Sequence, residues 1–246
     1  MLERIERDGV SLLLFPASDL GLYLDGQGGS NATPHSPDDA LERSGAMAAL
    51  DGPMFTACDG SEPPREGYAR YQCGTVHYRH LDRAAGIDTP SLHPSRGLTI
   101  SVAGGQASAA LGDQPAPSAD VAVQLYPALV YQGEVQRTVA TVYNHVAALA
   151  VMRDGRLAMA VGRSMSMPTL AQRLIEAGAL YAGYTDGGGS AALITPTQYA
   201  GSGEHRRVVT WLVVRPVSTS TPAGTAMAGV GLLAAVVGAW WLWRKR

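Results

Sequence analysis

The chain has 246 residues, a formal net charge of -2, 46% hydrophobic residues and 16% charged residues. That length suits one large domain or two small ones, and the apolar content excludes disorder of the whole chain. The balance of 19 basic against 21 acidic residues argues against an electrostatic nucleic-acid binder, which needs a basic excess. Two cysteines are too few for a disulfide-built miniprotein or a cysteine-rich metal site.

The first part of the chain is predicted to contain two short strands and a short helix. Val10–Phe15 and Leu20–Leu24 are apolar runs separated by turn residues, which is typical of strands. After a polar loop, Asp38 or Asp39 can cap a helix that continues to Met47.

Short strands continue through the rest of the domain. They are predicted at Leu98–Val102, Val121–Leu125, Leu129–Tyr131, Thr138–Tyr143, Ala147–Met152, Leu157–Val161, Leu180–Thr185, Ala191–Ile194 and Val208–Val214. At Thr169–Gly178 the period changes, because Leu170, Leu174 and Ile175 fall on one face of an amphipathic helix that ends at Gly178. The sequence therefore predicts a strand-rich α+β single domain over residues 1–214 with few helices, followed by a Pro/Ser/Thr linker over 215–225.

The last 21 residues, 226–246, have the pattern of a membrane anchor. Ala226–Trp243 is a run of 18 uncharged residues, and it precedes the basic tail 244–246. As a helix this run spans about 27 Å, which is enough for a hydrocarbon core. Trp240, Trp241 and Trp243 fit an interfacial aromatic belt. We predict one C-terminal transmembrane helix in a lipid bilayer, and a buried core helix is the alternative.

The side of the membrane is left open by the sequence. The positive-inside rule places the basic tail in the cytoplasm and the domain outside. However, Val10–Phe15 is too short for the apolar region of a signal peptide. A cell-envelope protein, a tail-anchored protein that faces the cytoplasm and a protein of a membrane-containing virion all remain open.

Cysteine and histidine pairs are weak candidates for a site. Cys58 and Cys73 flank a loop rich in proline, glycine and arginine, where they form either a disulfide bridge or two reduced thiols. His77 and His80 could bind a metal from one face of a helix, but their neighbours favour a strand or loop. His145, in an apolar strand pattern, is interpreted as a satisfied strand histidine. We expect no metal and no cofactor.

The segment TDGGGS, residues 185–190, is the strongest local signal of a functional site. Three glycines between two apolar strands expose backbone N–H groups, which can bind an anion or let a sugar lie against the chain. Asp186 beside them can act as an acid, a base or an acceptor. A plain glycine-rich hairpin, with Asp186 as a turn former, is the alternative.

Five motifs in series resemble the phosphodiester glycosidase family. They are an alanine-rich strand and turn at Ala48–Phe55, a middle segment at 124–133 followed by Arg137-Thr138, a hairpin at Asp154–Leu157, the helix with the DGGGS turn, and an arginine-rich segment at 206–208. The resemblance covers residues 10–215. It implies a hydrolase that acts on a sugar-1-phosphodiester or a related envelope glycan.

The chemistry of that bond suggests roles for particular residues. The phosphate charge must be held, the leaving group protonated and the anomeric carbon stabilised. We predict Asp186 as the acid/base group, Arg137 as a phosphate clamp because its planar fork suits two oxygens, and Asp51 as a second carboxylate or a ligand of sugar hydroxyls. The predicted substrate-binding residues are Gly187, Gly188, Gly189, Ser190, Gly52 and Thr138.

Two further positions qualify this prediction. The family usually has Asn and Gly where this chain has Asp51 and Pro53, and an aspartate cannot donate an amide hydrogen. Arg163, Ser164 and Ser166 follow the hairpin strand, where polar side chains can meet a substrate. The rival predictions are a non-catalytic carbohydrate-binding module and a structural phage virion protein, with a homo-oligomer or virion neighbours as partners.

Overall fold

The structure is a computed structural model that describes residues 2–24, 34–53, 76–78, 87–88, 97–112, 114–138, 141–208 and 210–215. All of them belong to one compact unit, Met1–Pro216. The predicted anchor 226–246, nearly all of the linker, His80 and the two cysteines lie outside the described residues. Within the part of the chain that is described, no helix is both long and apolar enough to cross a membrane.

The described residues form 17 strands and two α-helices. In chain order they are β1 (Glu3–Arg7), β2 (Val10–Phe15), β3 (Leu20–Leu24), α1 (Pro37–Ser44), β4 (Ala48–Asp51), β5 (Val76–Tyr78), β6 (Ile87–Asp88), β7 (Leu98–Ala103), β8 (Gln106–Leu111), β9 (Val121–Leu125), β10 (Ala128–Tyr131), β11 (Glu134–Val135), β12 (Val142–Met152), β13 (Leu157–Ser166), α2 (Met167–Glu176), β14 (Ala179–Gly187), β15 (Ala192–Thr195), β16 (Gln198–Gly201) and β17 (Thr210–Val214). The predicted strand-rich α+β class with few helices is confirmed.

The strands form three antiparallel sheets. The largest has the order β1-β2-β13-β12-β14-β10-β11, the second β16-β15-β4-β17-β3, and the third β6-β5-β9-β7-β8. The backbone between β14 and β15 therefore crosses from the first sheet to the second. That crossing is made by residues 188–191 of the glycine-rich segment, so the strongest sequence motif lies where two sheets meet.

Two helices cover the outer faces of two sheets. One buried cluster draws side chains from all three sheets, including Phe15, Leu50, Ile100, Leu149 and Leu212. The opposite face of the largest sheet packs against Leu170 and Leu174 of α2. The opposite face of the second sheet packs against Ala40 of α1. Successive residues of a strand point to opposite faces of its sheet, one toward the shared cluster and the other toward a helix. Both faces are therefore buried, which explains why the central strands are apolar on both faces.

Both helices begin at a serine cap. Ser36 caps α1 by accepting a hydrogen bond from the Asp39 amide, so the predicted cap at Asp38 or Asp39 is wrong. The two aspartates lie in the first turn instead, where the helix dipole favours negative charge. The helix also ends earlier than predicted, at Ser44, because Gly45 adopts a left-handed conformation with φ 62°.

Three differences from the predicted strands have physical causes. The segments predicted as 138–143 and 147–152 form one long strand, β12, from Val142 onward, so Thr138 lies before it. The polar, charged strand β1 lacks an apolar run because it is the edge of its sheet, paired only with β2. β8 was missed for the same reason, since Gln106–Leu111 forms an edge with a largely exposed pattern.

Candidate active site

The glycine turn begins at the end of β14. A Cβ at Gly187 would overlap the Tyr184 hydroxyl, and a Cβ at Gly189 would overlap the Glu204 carboxylate. Gly188 has φ 59°, a left-handed conformation that favours glycine. Gly187 and Gly188 are thus favoured by a close approach and by the backbone, whereas a side chain at Gly189 would displace only the flexible end of Glu204.

Asp51 ties both ends of this turn to β4. Its side chain is fully buried, with 0% exposure. One carboxylate oxygen accepts hydrogen bonds from the Asp186 amide at 2.9 Å and the Thr185 hydroxyl at 3.1 Å, and the other accepts from the Ala192 amide at 3.0 Å. Because Thr185 and Asp186 belong to one sheet and Ala192 to another, a single carboxylate joins the two sheets at the turn.

Burial has a strong electrostatic effect on Asp51. Desolvation, and secondly the charge of Asp186, raise the pKa of Asp51 well above its usual range, while the three donors act in the opposite direction. The burial also leaves Asp51 no surface for contact with a substrate. That position differs from the predicted role of Asp51 as a second carboxylate that meets the sugar.

Asp186 lies beside the turn in a mostly buried position. Its Oδ1 accepts a hydrogen bond from the Gly187 amide at 2.8 Å. Desolvation raises the pKa of Asp186, and the Gly187 amide, the nearby Ser190 hydroxyl and the charge of Arg206 partly offset that rise. The Ser190 hydroxyl is buried and has no hydrogen-bond partner among the described residues. A carboxyl of this kind retains its proton to higher pH than an exposed aspartate.

A polar cleft of about 530 Å³ opens directly at the glycine turn. Its lining includes Gly188 and Gly189 from the turn, Tyr143, Asn144 and His145 from β12, Arg163 and Ser164 from β13, and Ser202 and Glu204 from the loop after β16. The Ser202 hydroxyl donates to the Gly189 carbonyl at 2.8 Å, and it accepts from the Glu204 amide at 3.2 Å. These two bonds hold the Glu204 loop against the turn.

His145 and Arg163 face each other across the β12–β13 pair. Desolvation and then the charge of Arg163 lower the pKa of His145, whereas Glu204 acts in the opposite direction. The imidazole is therefore neutral near pH 7, and its Nδ1 is buried without a hydrogen-bond partner among the described residues. The interpretation of His145 as a strand residue is correct, but it is not a satisfied histidine.

Arg163 is a charged side chain of the cleft without an ionic partner among the described residues. Arg163 is exposed, and within the described ranges its guanidinium forms no ion pair or hydrogen bond. An exposed, unpaired guanidinium beside backbone amides is suited to bind an anion such as a phosphate. Within the described ranges, no group of three or more His, Cys, Asp or Glu side chains is placed to hold a metal ion.

The predicted site residues divide into two groups in space. Gly188 and Gly189 line the cleft, whereas Asp186, Gly187 and Ser190 belong to the same turn but do not form part of the lining. Arg137 is exposed in the segment after the edge strand β11 and does not line the cleft, and the nearby Thr138 hydroxyl is buried without a partner in the described part of the chain. Gly52 serves packing: its amide donates to the Thr210 carbonyl at 2.8 Å, and a Cβ would lie 2.6 Å from that oxygen.

Sequence reasoning missed Glu204 entirely. Glu204 lies in a polar loop, GSGEH, that has no periodicity and directly precedes the arginine-rich segment 206–208. The only sequence signal was the pair of glycines, Gly201 and Gly203. In the structure both have positive φ, which gives the loop a defined conformation. That signal does not show that the loop returns to the glycine turn, since that depends on the pairing of β15 with β16.

The architecture and the cleft define a strand-rich α+β domain with a glycine turn between two sheets. The family model described as phosphodiester glycosidase matches residues 44–215, which is more than half of the chain. The chain belongs to the phosphodiester glycosidase family. No curated protein matches it in sequence.

Solved structures share this fold at low sequence identity. The catalytic domain of zebrafish N-acetylglucosamine-1-phosphodiester alpha-N-acetylglucosaminidase, auto-inhibited by its pro-peptide, is similar with a TM-score of 0.59 and 13% identity, over 88% of this chain and 82% of that one. A hypothetical protein from Synechocystis is similar with a TM-score of 0.51 and 11% identity, over 87% of this chain and 61% of that one. At such identities the likeness shows the fold alone.

Proposed function

We propose that this domain hydrolyses a sugar-1-phosphodiester in the cleft at the glycine turn. One observation carries the proposal. Two carboxylates, Asp186 and Glu204, flank the same three glycines, and the unpaired Arg163 lines the same cleft. Glycoside hydrolysis commonly uses a pair of carboxyl groups, and a phosphodiester substrate adds an anion that needs a cation.

The reaction that fits these groups breaks the bond between the anomeric carbon and the phosphate oxygen. Water adds to the anomeric carbon, and the phosphate leaves as a monoester that keeps its alcohol group. Asp186, whose pKa burial raises, donates the proton to the leaving oxygen. Glu204 accepts the proton of the attacking water or stabilises the positive charge at the anomeric carbon.

Arg163 and the glycine amides would hold the phosphate and the sugar. The guanidinium fork can contact two phosphate oxygens, and exposed backbone amides can cradle the others. Because Arg163 lines the cleft, we prefer it to Arg137 as the clamp. Neutral His145 also lines the cleft, where its ring places no further charge beside the bound phosphodiester.

Asp51 fits a positioning role in this proposal. Its carboxylate binds the amides of Asp186 and Ala192, so it sets the direction of the turn that carries the acid. An asparagine, which the family usually has here, could accept some of these bonds but not all, since one end of its amide only donates. The presence of aspartate at position 51, where the family usually has asparagine, is therefore compatible with an ordered site.

The test is turnover of a chromogenic N-acetylglucosamine-1-phosphodiester, chosen because the zebrafish enzyme is named for that substrate. We expect hydrolysis by the full chain and a loss of roughly 10²–10⁴-fold in kcat for Asp186→Asn. Asp120→Asn is the matched control, since Asp120 also accepts one backbone amide, that of Gly104, outside the cleft. A wild type that is folded, binds the sugar and never turns it over would favour the carbohydrate-binding alternative.

We also propose that residues 226–243 anchor the domain in a membrane. The support is the uncharged run with its three tryptophans and basic tail. The expected result is that the full chain sediments with membranes after alkaline washing, whereas a chain that ends at residue 215 does not. Release of both chains by the wash would contradict the proposal.

A further inference from the structure

His205 directly follows Glu204, and its ring has a contact on two sides. Its Nδ1 lies 3.2 Å from the Asp38 carboxylate oxygen Oδ2. Because an ionised carboxylate only accepts hydrogen bonds, the imidazole is the donor. One face of the ring stacks on Tyr199, with the ring centroids 4.5 Å apart and an angle of 10° between the planes. A hydrogen bond and a ring stack thus fix the residue next to a carboxylate of the cleft.

The backbone of His205 has a conformation that needs such support. Its φ is 49°, in the left-handed region that residues other than glycine adopt at an energetic cost. A residue in that region is retained where the surrounding structure holds it there, and such residues concentrate at functional sites. The loop after β16 therefore depends on the contacts of the His205 side chain for its conformation.

Both partners of His205 belong to one packed layer of the domain. Asp38 lies in the first turn of α1, and Tyr199 of β16 packs on the apolar cluster that contains Ala40 of the same helix. β16 is also held by β15, through the register Ile194 to Tyr199, and β15 begins just after the glycine turn. The two partners of the imidazole are thus fixed relative to the turn.

The residues before Glu204 are held at the turn as well. The Ser202 hydroxyl donates to the Gly189 carbonyl at 2.8 Å, and the Gly203 amide donates to the Tyr199 hydroxyl at 3.3 Å. The Glu204 carboxylate itself lies against Gly189. Glu204 is therefore held from both sides along the chain, and His205 is the contact on its C-terminal side.

We propose that His205 is a positioning residue, which holds its loop against α1 and β16 and so keeps the Glu204 carboxylate at the glycine turn. The inference rests on the proposed function for the role of Glu204, whereas the position of the loop can be measured without catalysis. Asp38 lies before residue 44, where the family match begins, so the contact joins a loop within the matched region to a helix that precedes it. Since His205 does not belong to the described lining of the cleft, its effect falls on the chemical step and not on substrate binding.

The test variant is His205→Gly in the full chain, because glycine removes the ring and accepts the left-handed backbone without strain. Gln132→Gly is the matched control, since Gln132 has φ 55° in the exposed turn between β10 and β11 and does not line the cleft. The first readout is the kinetics with the chromogenic N-acetylglucosamine-1-phosphodiester. The second is the pKa of His145 by NMR titration, which the charge of Glu204 raises.

We expect His205→Gly to lower kcat at least about tenfold and to change KM less than about twofold, as when a reacting group is misplaced. The pKa of His145 falls in the same variant, as it does in Glu204→Gln, because the carboxylate moves away. Gln132→Gly changes none of these values. An unchanged kcat, or an unchanged pKa of His145, in His205→Gly would overturn the inference.

A double-mutant cycle tests the partner of the imidazole. Asp38→Ala is expected to lower kcat about threefold in the wild type and to have almost no further effect in His205→Gly, because Asp38 acts through His205. Asp39→Ala removes the same charge from the same turn of α1 and leaves kcat unchanged. Effects of Asp38→Ala and His205→Gly that add in full would overturn the pairing.

The two readouts separate this inference from the proposed function. If the wild type hydrolyses no diester, the proposed function fails, and the catalytic part of this inference fails with it. A lowered pKa of His145 in His205→Gly then still supports the placement of Glu204 by His205.

Discussion

Replacement of Asp51 by asparagine tests how the glycine turn is held. The Asp51 carboxylate accepts three hydrogen bonds at 2.9–3.1 Å, from Asp186, Thr185 and Ala192. An asparagine has one oxygen and one amide group at these two positions. In one orientation the amide group faces the backbone N–H of Ala192, and in the other it faces the backbone N–H of Asp186. One buried backbone donor is then left without an acceptor.

The size of the effect follows from that unpaired donor. A buried, unsatisfied N–H costs about 1–3 kcal/mol, and loss of a bond to a charged acceptor costs a similar amount. Asparagine also removes a buried carboxylate whose desolvation raises its pKa, which offsets part of the loss. We therefore expect Asp51→Asn to lower the free energy of unfolding by about 2–3 kcal/mol, and kcat to fall because the Asp186 amide is no longer held.

Urea unfolding of the full chain, followed by circular dichroism, measures this change. Thr185→Val is the graded control, since it removes only the hydroxyl donor at 3.1 Å and is expected to cost about 1 kcal/mol. Asp120→Asn controls for an exposed aspartate. An Asp51→Asn protein that unfolds within about 0.5 kcal/mol of the wild type would refute the argument that this carboxylate holds the turn.

Three further predictions concern the cleft. Arg163→Gln is expected to raise the pKa of His145 and Glu204→Gln to lower it, as followed by NMR titration, because these two charges act on the imidazole in opposite directions. The folded-state pKa of Asp186 is raised above 3.8, so its contribution to stability is full below that pH and is lost as pH rises through the folded pKa. Asp186→Asn should therefore flatten that part of the curve of unfolding free energy against pH. Gly189→Ala should displace the Glu204 carboxylate and lower kcat at least about tenfold, with a change in unfolding free energy of about 1 kcal/mol.

Each of these has a result that contradicts it. Movement of the His145 pKa in the same direction in both variants would show that the two charges do not act on it as placed. Parallel stability curves for the wild type and the Asp186 variant would mean that the folded-state pKa is not raised. Full activity of Gly189→Ala would separate Glu204 from the chemistry.

The local elements were predictable because their signals are local. Val10–Phe15 and Val121–Leu125 are short apolar runs bounded by turn residues, and both are strands with the predicted limits. Leu170 and Leu174 have helical spacing, and both are buried residues of α2. The glycine turn was also visible, because three adjacent glycines have an entropic cost that a turn or a site must justify.

The sequence by itself determined the α+β class, the resemblance to phosphodiester glycosidases and the position of the glycine turn. Only the tertiary structure decided which side chains meet there. Arg163 and His145 come together through the pairing of β12 with β13, and Glu204 returns to the turn through the β15–β16 hairpin. Asp51 lies 135 positions from Asp186, yet it binds that amide. Sequence periodicity reports neighbours a few residues apart, whereas these contacts depend on strand pairing across the whole domain.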